Sequence, residues 1–244
     1  MTGHAATLIH DPRERAVRRQ AKQERVLRWL RGNTWSSADI LREVARLGSR
    51  QAAHAMLKAL AREGFIRAAV IAGEYGPTLQ VWGITAHGAA MSAAPGEPIE
   101  TRLFEPSKVN PATLAHTLDV QRLQLHADHA GWRWRPIAGE FARSEAKYAD
   151  AIAIRPDGKT VAIEVERTVK TAKRYAEILV AHLAARKQGK WEWVYYLSPQ
   201  EAVRDRVQRV FGEIRRATWR GQAIEITDAH RAPFKFFTYD EDWT

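Results

Sequence analysis

The sequence has no cysteine among its 244 residues. Disulfides, thiolate zinc sites and cysteine nucleophiles are therefore excluded. It also lacks an apolar run long enough to span a bilayer. The N-terminal stretch MTGHAATLIHDPRER has no apolar segment of the kind found in signal peptides. We therefore expect a soluble, cytoplasmic protein without a membrane span.

Acidic residues are scarce relative to basic ones. The chain has 28 Asp and Glu against 38 Lys and Arg, which leaves a net charge of +10 at pH 7. The excess is concentrated early, because residues 1–92 carry 14 basic and 7 acidic side chains. Such a balance favours a polyanionic partner. A hydrophobic fraction of 45% is enough for a packed core, so we do not expect wholesale disorder.

Prolines divide the chain. Four of its ten prolines fall within residues 93–111. Because proline fixes φ and removes a backbone donor, no regular element is expected there. We interpret 93–111 as a linker between a domain over 1–92 and a domain over 112–244. Helices and strands alternate in the second domain, which predicts an α/β layer fold and an α+β class for the whole chain. The expected helices cover about 111–130, 168–188 and 199–217, and the expected strands lie near 135–141, 147–154, 160–166, 191–197, 222–226 and 234–239.

The pattern before the linker predicts a winged helix-turn-helix. Its expected elements are a helix over 12–31, a short helix from the capping box Ser36–Asp39 to Arg46, a helix over 50–63 capped by Ser49, strands over 66–72 and 79–84, and a last short helix capped by Thr85.

The helix over 50–63 carries the candidate reading face. Arg50, His54 and Lys58 are four residues apart and share one face, with Gln51 beside them. Arg and Gln near the start of a helix suit base edges, whereas Lys and His suit phosphates. We therefore expect double-stranded DNA as the partner. The alternative is a solvated helix face in a winged helix that binds protein.

The first predicted helix adds a basic row. Candidate phosphate contacts in this row are Arg18, Arg19 and Lys22. Their proximity in sequence to the reading helix favours DNA over a protein partner.

Two predicted strands, 147–154 and 160–166, flank the turn Pro156-Asp157-Gly158. The five-residue loop pairs Asp150 with Glu164 across the hairpin. A period of two then places Glu166 on the same face, with Tyr148 opposite it.

Three carboxylates on one patch destabilise each other and need a positive partner. A hard divalent cation, Mg²⁺ or Mn²⁺, bound by Asp150, Glu164 and Glu166 is the simplest candidate. One alternative is a one-residue slip that separates the carboxylates. Another is neutralisation by nearby cations in a structural network. Those cations are Arg167, Lys170 and Lys173.

Asp150 and the run Glu164-Val165-Glu166 resemble the PD-(D/E)xK superfamily, whose domains have the restriction-endonuclease-like fold. The resemblance implies that Asp150 and Glu164 bind metal, with help from the Val165 carbonyl, and that the motif lysine assists the attacking water. Here Ala149 replaces the family's proline, and Glu166 replaces the lysine. The missing positive charge would then come from a neighbouring cation. The candidates are Arg167, Lys170 and Lys173.

A narrower resemblance covers about residues 35–200. The segments His116–Val120, Ile163–Thr168 and Lys173–Tyr175, together with Asp150, are similar to the plasmid replication-relaxation family and to MobC-type mobilisation relaxases. This resemblance implies DNA nicking at an origin of transfer or replication, or assistance to a nicking enzyme.

The resemblance also implies partners and further site residues. Relaxosome or replication proteins are the expected protein partners, and a second copy of this chain is a further candidate. His116 becomes a site residue, although an interdomain hydrogen bond is an equally good interpretation. Water is the expected nucleophile, with Tyr148 or Tyr175 as a relaxase-like alternative. The competing hypothesis is a non-catalytic accessory or regulatory protein with an inactive nuclease-like domain.

Overall fold

The computed structural model describes residues 11–72, 78–94, 96–97, 101–136 and 149–244. The chain divides into two compact units, one ending at Leu118 and the other beginning at Asp119. Both units mix helices with strands, which confirms the expected α+β class at that level. Over the described residues, no helix combines the length and apolar character that crossing a bilayer requires.

The first unit contains two short helices, two longer ones and a small antiparallel sheet. Its elements in chain order are α1 (Pro12–Asn33), β1 (Trp35–Ser37), α2 (Ala38–Val44), α3 (Arg50–Arg62), β2 (Ile66–Ile71), β3 (Leu79–Ile84) and α4 (Ala86–Ser92). The strand order is β1–β3–β2.

Local signals set most of these boundaries. Ser49 caps α3, because its hydroxyl accepts a hydrogen bond from the Ala52 N–H at 3.2 Å. Thr85 caps α4 in the same way through Gly88. Gly64 ends the α3 region with a φ of +76°, a conformation that favours glycine. The predicted caps Ser49 and Thr85 are therefore confirmed.

The predicted capping box at Ser36–Asp39 is wrong. Ser37 caps α2 instead, and its hydroxyl accepts from the Ile40 N–H at 3.4 Å. Ser36 is fully buried in β1, where it pairs with Trp82. The sequence did not predict β1, because three residues between two helices are too few to show a strand period.

The segment 93–111, expected to be a linker, contains residues that pack against the first unit. Phe104 is buried, and its ring lies so close to Gly83 that an added Cβ would approach within 2.0 Å. Arg67 also donates a hydrogen bond to the Phe104 carbonyl. Two 3₁₀ turns follow, and the division into units comes only after Leu118.

The remaining elements begin with a helix that contains the division. In chain order they are α5 (Leu114–His129), β4 (Arg133–Pro136), β5 (Ala151–Ile154), β6 (Thr160–Val165), α6 (Ala172–Lys187), β7 (Trp193–Ser198), α7 (Glu201–Glu213), β8 (Arg216–Trp219), β9 (Gln222–Glu225), α8 (Asp228–Arg231) and β10 (Phe234–Thr238). One sheet has the order β10–β7–β6–β5–β4, and β8 and β9 form a separate hairpin.

Helices cover both faces of the larger sheet. Val161 and Ile163 of β6 pack in one core cluster with α5 residues such as Leu123. Ala162, between them, packs in another cluster with α6 and α7. Because side chains alternate along a strand, Glu164 and Glu166 continue the face that carries Ala162 and point toward α6.

The two predicted helices that flank β7 have different bounds in the structure. The helix expected from 168 begins at Ala172, because Thr171 caps it through the Arg174 N–H. The helix expected over 199–217 ends at Glu213. Its predicted last residues instead form β8, which turns back through two residues with positive φ, Arg220 and Gly221. The expected strand residues 137–141 and 147–148 lie outside the described residues.

Candidate functional site

The carboxylate hairpin has the predicted register. Ile152 lies opposite Ala162 and Ile154 opposite Thr160. The last ladder pair is Ala151–Ile163, and Asp150 directly precedes it in the chain. Its carboxylate accepts a hydrogen bond from the Val165 N–H at 2.7 Å. This contact holds Asp150 beside the strand that carries the glutamates, so the alternative of a register slip is excluded.

Glu164 lies between the sheet and α6. Its carboxylate is buried, and its Oε1 is 3.1 Å from Nε2 of the fully buried His182. Burial, and secondarily the negative charge of Asp150, raise the pKa of Glu164 well above its ordinary value. The carboxylates of Asp150 and Glu164 are therefore close enough to repel each other.

Glu166 has partners of its own. It is 3% exposed and accepts hydrogen bonds from the Lys170 ammonium and, at 3.1 Å, from the Tyr175 hydroxyl. The Lys170 N–H in turn donates to that hydroxyl at 3.1 Å. Burial is the main cause that raises the pKa of Tyr175. The charge of Glu166 is thus balanced by Lys170 within the protein. This arrangement corresponds to the alternative in which nearby cations, rather than a metal ion, neutralise the carboxylates.

The three candidate cations have different positions. Lys170 lies in the loop before α6 and contacts Glu166. Arg167 pairs instead with Asp119 of α5. Lys173 is exposed on the first turn of α6 and contacts no charged side chain among the described residues. Lys170 is therefore the lysine that lies at the carboxylates.

Asp119 is the centre of a second polar cluster. It is buried and accepts hydrogen bonds from Arg122 at 2.9 Å, from Arg167 and from the Tyr239 hydroxyl at 3.1 Å. Burial and then the charge of Asp119 raise the pKa of Tyr239. The charge of Asp150 adds to this rise, so the cluster lies within electrostatic reach of the hairpin.

Sequence reasoning missed two buried groups beside Glu164. His182 follows it by 18 residues on another element, and no spacing rule connects the two. Tyr196 of β7 lies opposite Glu164 in the parallel register. The Tyr196 hydroxyl is buried and has no hydrogen-bond partner in the described part of the chain. A lone His in a helix and a Tyr in an apolar strand are ordinary core patterns, so the sequence does not mark either residue as part of a site.

The donor set fits a hard cation only in part. No group of three or more His, Cys, Asp and Glu side chains within the described ranges is arranged to hold a metal ion. Glu166 is occupied by Lys170 and Tyr175. Asp150 and Glu164 remain as neighbours, and Mg²⁺ is often bound through one or two carboxylates while keeping several waters. Of the three carboxylates expected to bind the ion, two therefore remain as candidate ligands in the described part of the hairpin.

The remaining predicted site residues are less informative. Tyr148 lies outside the described residues. His116 is half-buried on α5, in the part assigned to the first unit.

The predicted reading face lies on the outer side of α3. Arg50, Gln51 and Lys58 are exposed, and His54 is half-buried. Arg50 forms an ion pair with Asp39 at 3.1 Å, and both side chains are more than half exposed. Such a pair contributes about 0–1 kcal/mol, so Arg50 remains available to another anion.

A groove of about 520 Å³ lies between α1 and α3. Its floor is apolar and is formed by Leu47, Ala55, Met56 and Ala59. Its rim is basic and includes the three predicted phosphate contacts of α1. The rim residues are Arg15, Arg18, Arg19, Lys22 and Arg62. The basic row of α1 therefore shares this groove with Arg62 of α3, whereas the groove lining does not include the predicted reading residues Arg50, Gln51, His54 and Lys58.

Comparison with protein-family models, with curated proteins and with solved structures finds no match to this chain.

Proposed function

We propose that this chain is a DNA-binding protein of a plasmid or integrative element. In this proposal a winged helix-turn-helix brings a restriction-endonuclease-like domain to an origin of transfer or replication, where that domain nicks DNA. The observation that carries the proposal is the carboxylate pair of Asp150 and Glu164 at the end of the β5–β6 hairpin, with Lys170 beside it on Glu166.

The first unit supports the DNA-reading half. Its order of helix, strand, two helices and a β-hairpin, with β3 between β1 and β2, is the arrangement expected of a winged helix. The outer face of α3 carries Arg50, Gln51 and Lys58, and the same helix contributes Arg62 to the basic rim of the α1–α3 groove. Phosphate contacts from such a rim position a reading helix on duplex DNA.

The second unit supports the nuclease half. A helix, three antiparallel strands, a crossover helix and a strand parallel to the third strand follow one another as α5–β4–β5–β6–α6–β7. The acidic residues lie at the start of β5 and the end of β6, as the resemblance to the PD-(D/E)xK superfamily implies. The Glu166 departure is partly offset, because Lys170 brings an ammonium group to the same place.

Asp150 and Glu164 would hold a Mg²⁺ or Mn²⁺ ion. Bound there, the ion would supply Lewis acidity at the phosphodiester and make a water molecule easier to deprotonate. The Val165 N–H orients Asp150, and His182 orients Glu164. These contacts fix both carboxylates before any ligand arrives, which is the condition for effective electrostatic stabilisation.

Lys170 would stabilise the negative charge that grows on the phosphate during attack. Glu166 positions Lys170 by accepting from its ammonium group, and the Tyr175 hydroxyl positions it by accepting from its backbone N–H. Because Tyr175 is buried and its pKa is raised, it is poorly suited to act as a nucleophile. Water remains the proposed nucleophile.

A second function has one observation in its favour. The described residues contain no group of three metal-ligating side chains. This favours a non-catalytic accessory or regulatory protein that binds duplex DNA and contacts relaxosome or replication proteins. The cytoplasm is the expected location in both cases.

A nicking assay separates the two functions. The substrate is a supercoiled plasmid that carries the DNA flanking the gene for this chain, incubated with Mg²⁺ or Mn²⁺ and, separately, with EDTA. We expect conversion to open circles with metal, no conversion with EDTA, and none with Asp150→Asn. The matched control is Asp157→Asn, because Asp157 lies in the turn of the same hairpin and is well exposed. Absence of metal-dependent nicking by the unaltered protein would leave the accessory function.

A further inference from the structure

Two arginines converge on one buried carboxylate at the edge of the candidate active site. Asp119, which is 4% exposed, accepts from Arg122 Nη1 at 2.9 Å, from Arg167 Nη1 and from the Tyr239 hydroxyl. Asp119 lies on α5, whereas Arg167 comes directly after the end of β6. The cluster therefore connects α5 to the strand that carries Glu164.

Both guanidinium groups retain unused donors. Each group has five N–H donors, and in each the Nη1 atom donates to Asp119. The other donors of the two groups make no hydrogen bond to a described residue. The Arg167 side chain is 41% exposed and that of Arg122 is 55% exposed. Two cations share one anion, so the cluster presents excess positive charge and several donors to solvent.

The position of the cluster relates it to the carboxylates. Arg167 directly follows Glu166 in the chain, and Glu166 contacts Lys170. The Asp150 carboxylate accepts from the Val165 N–H at 2.7 Å, and Arg167 lies only two residues beyond Val165. We therefore expect a DNA strand held at Asp150 to reach the two arginines.

We propose that Arg122 and Arg167 form a clamp for one phosphate of the DNA backbone, next to the phosphate held at Asp150 and Glu164. Asp119 is the positioning residue that holds the two guanidinium groups side by side. Guanidinium groups bind phosphate oxygens through paired N–H donors, and a fixed pair loses little freedom on binding. The identity of the ligand as DNA rests on the proposed function, but phosphate binding itself does not require nicking.

The test is a titration of the full chain with inorganic phosphate in EDTA, followed by NMR of the arginine side chains. Arg122→Lys and Arg167→Lys assign the two signals. We expect saturable shifts of both. The matched control is Arg174, which is 47% exposed and also paired with a carboxylate, Glu177, at 3.0 Å. Its signal should change only with ionic strength.

Two variants test the arrangement. Asp119→Asn should weaken phosphate binding several-fold, because the arginines lose their common partner. If that variant does not fold, Arg167→Lys serves instead, since lysine keeps the charge but loses the planar fork. Shifts at Arg174 equal to those at the two arginines, or an Arg167→Lys protein that binds phosphate as tightly as the unaltered one, would overturn the clamp.

The clamp and the proposed nuclease activity can fail separately. Phosphate binding at the arginines without nicking would refute the nuclease activity alone. Nicking without phosphate binding at the arginines would refute the clamp alone. Where the protein nicks, Arg167→Lys should raise KM for DNA more than it lowers kcat, because the clamp binds substrate and transition state alike.

Discussion

Replacing Lys170 by Met tests whether Glu166 depends on this lysine. Glu166 is 3% exposed and has the Lys170 ammonium and the Tyr175 hydroxyl as its donors. Met keeps the length and the apolar part of the lysine stem but removes the charge. The variant leaves a buried carboxylate with one of its two donors.

The expected loss of stability follows from these interactions. A hydrogen bond to a charged group contributes about 1.5–3 kcal/mol to stability. The Lys170 side chain is 38% exposed, so water replaces part of what the ammonium supplied. We therefore expect Lys170→Met to lower the free energy of unfolding of the second unit by about 1.5 kcal/mol, at the lower end of that range.

A second substitution isolates the pair. Glu166→Gln removes the charge that needs the lysine, while its amide oxygen still accepts from Tyr175. In the double variant the destabilisation caused by Lys170→Met should therefore fall by about 1 kcal/mol. Lys173→Met is the control, because Lys173 is exposed and should change stability by less than about 0.5 kcal/mol.

The assay is hydrogen exchange of peptides from β6 and α6 along a urea series at pH 8 in EDTA, which reports on the second unit alone. If Lys170→Met resembles Lys173→Met, or if the two substitutions at the pair are simply additive, Glu166 does not depend on Lys170 and the reasoning fails.

Four further predictions concern other residues. Burial, and secondarily Asp150, raise the pKa of Glu164, so the folded state holds this proton more tightly than the unfolded one and loses stability as pH rises above about 4.5. Glu164→Gln removes this pH-dependent destabilisation. In urea unfolding with EDTA, the free energy of unfolding of the variant relative to the unaltered protein should therefore be higher at pH 8 than at pH 5. The same difference at both pH values would contradict this prediction. Gly83→Ala forces a Cβ against Phe104 and should lower the free energy of unfolding by about 2 kcal/mol. The control Gly32→Ala places its Cβ in open space on α1 and should be neutral or stabilising. Equal melting temperatures of the two variants would contradict the packing of Phe104 on β3. Deleting residues 1–20 removes exposed arginines that precede the buried part of α1. The slope of log affinity for duplex DNA against log salt concentration should therefore become shallower. The expected change is about 0.9 for each phosphate that the shortened protein no longer neutralises. Arg50→Ala should weaken specific duplex binding by about 1–3 kcal/mol. The control Arg209→Ala, on an exposed face of α7, should not, and a mobility-shift titration compares all of these proteins.

Much of the fold could be predicted because its signals are local. Ser49 and Thr85 each cap a helix by accepting from a backbone N–H three residues away, and the structure confirms both. The turn at Pro156-Asp157-Gly158 and the period of two in its flanking strands fix the hairpin register, which brings Asp150 beside the strand of Glu164. Such features depend on φ, ψ and side-chain alternation over a few residues, which the sequence specifies directly.

Other features were decided by tertiary contacts. The sequence places Glu166 in a carboxylate patch, but the loop before α6 determines that Lys170 contacts it. His182 meets Glu164 only because α6 crosses over the sheet. Phe104 fixes part of the expected linker on β3, because Gly83 leaves room for its ring. These contacts join residues that are distant in sequence or carried by separate elements, and no periodicity or turn chemistry specifies which elements will pack together. The sequence by itself determined where the acidic residues and the turns lie, whereas the partner of each carboxylate depended on how the layers pack.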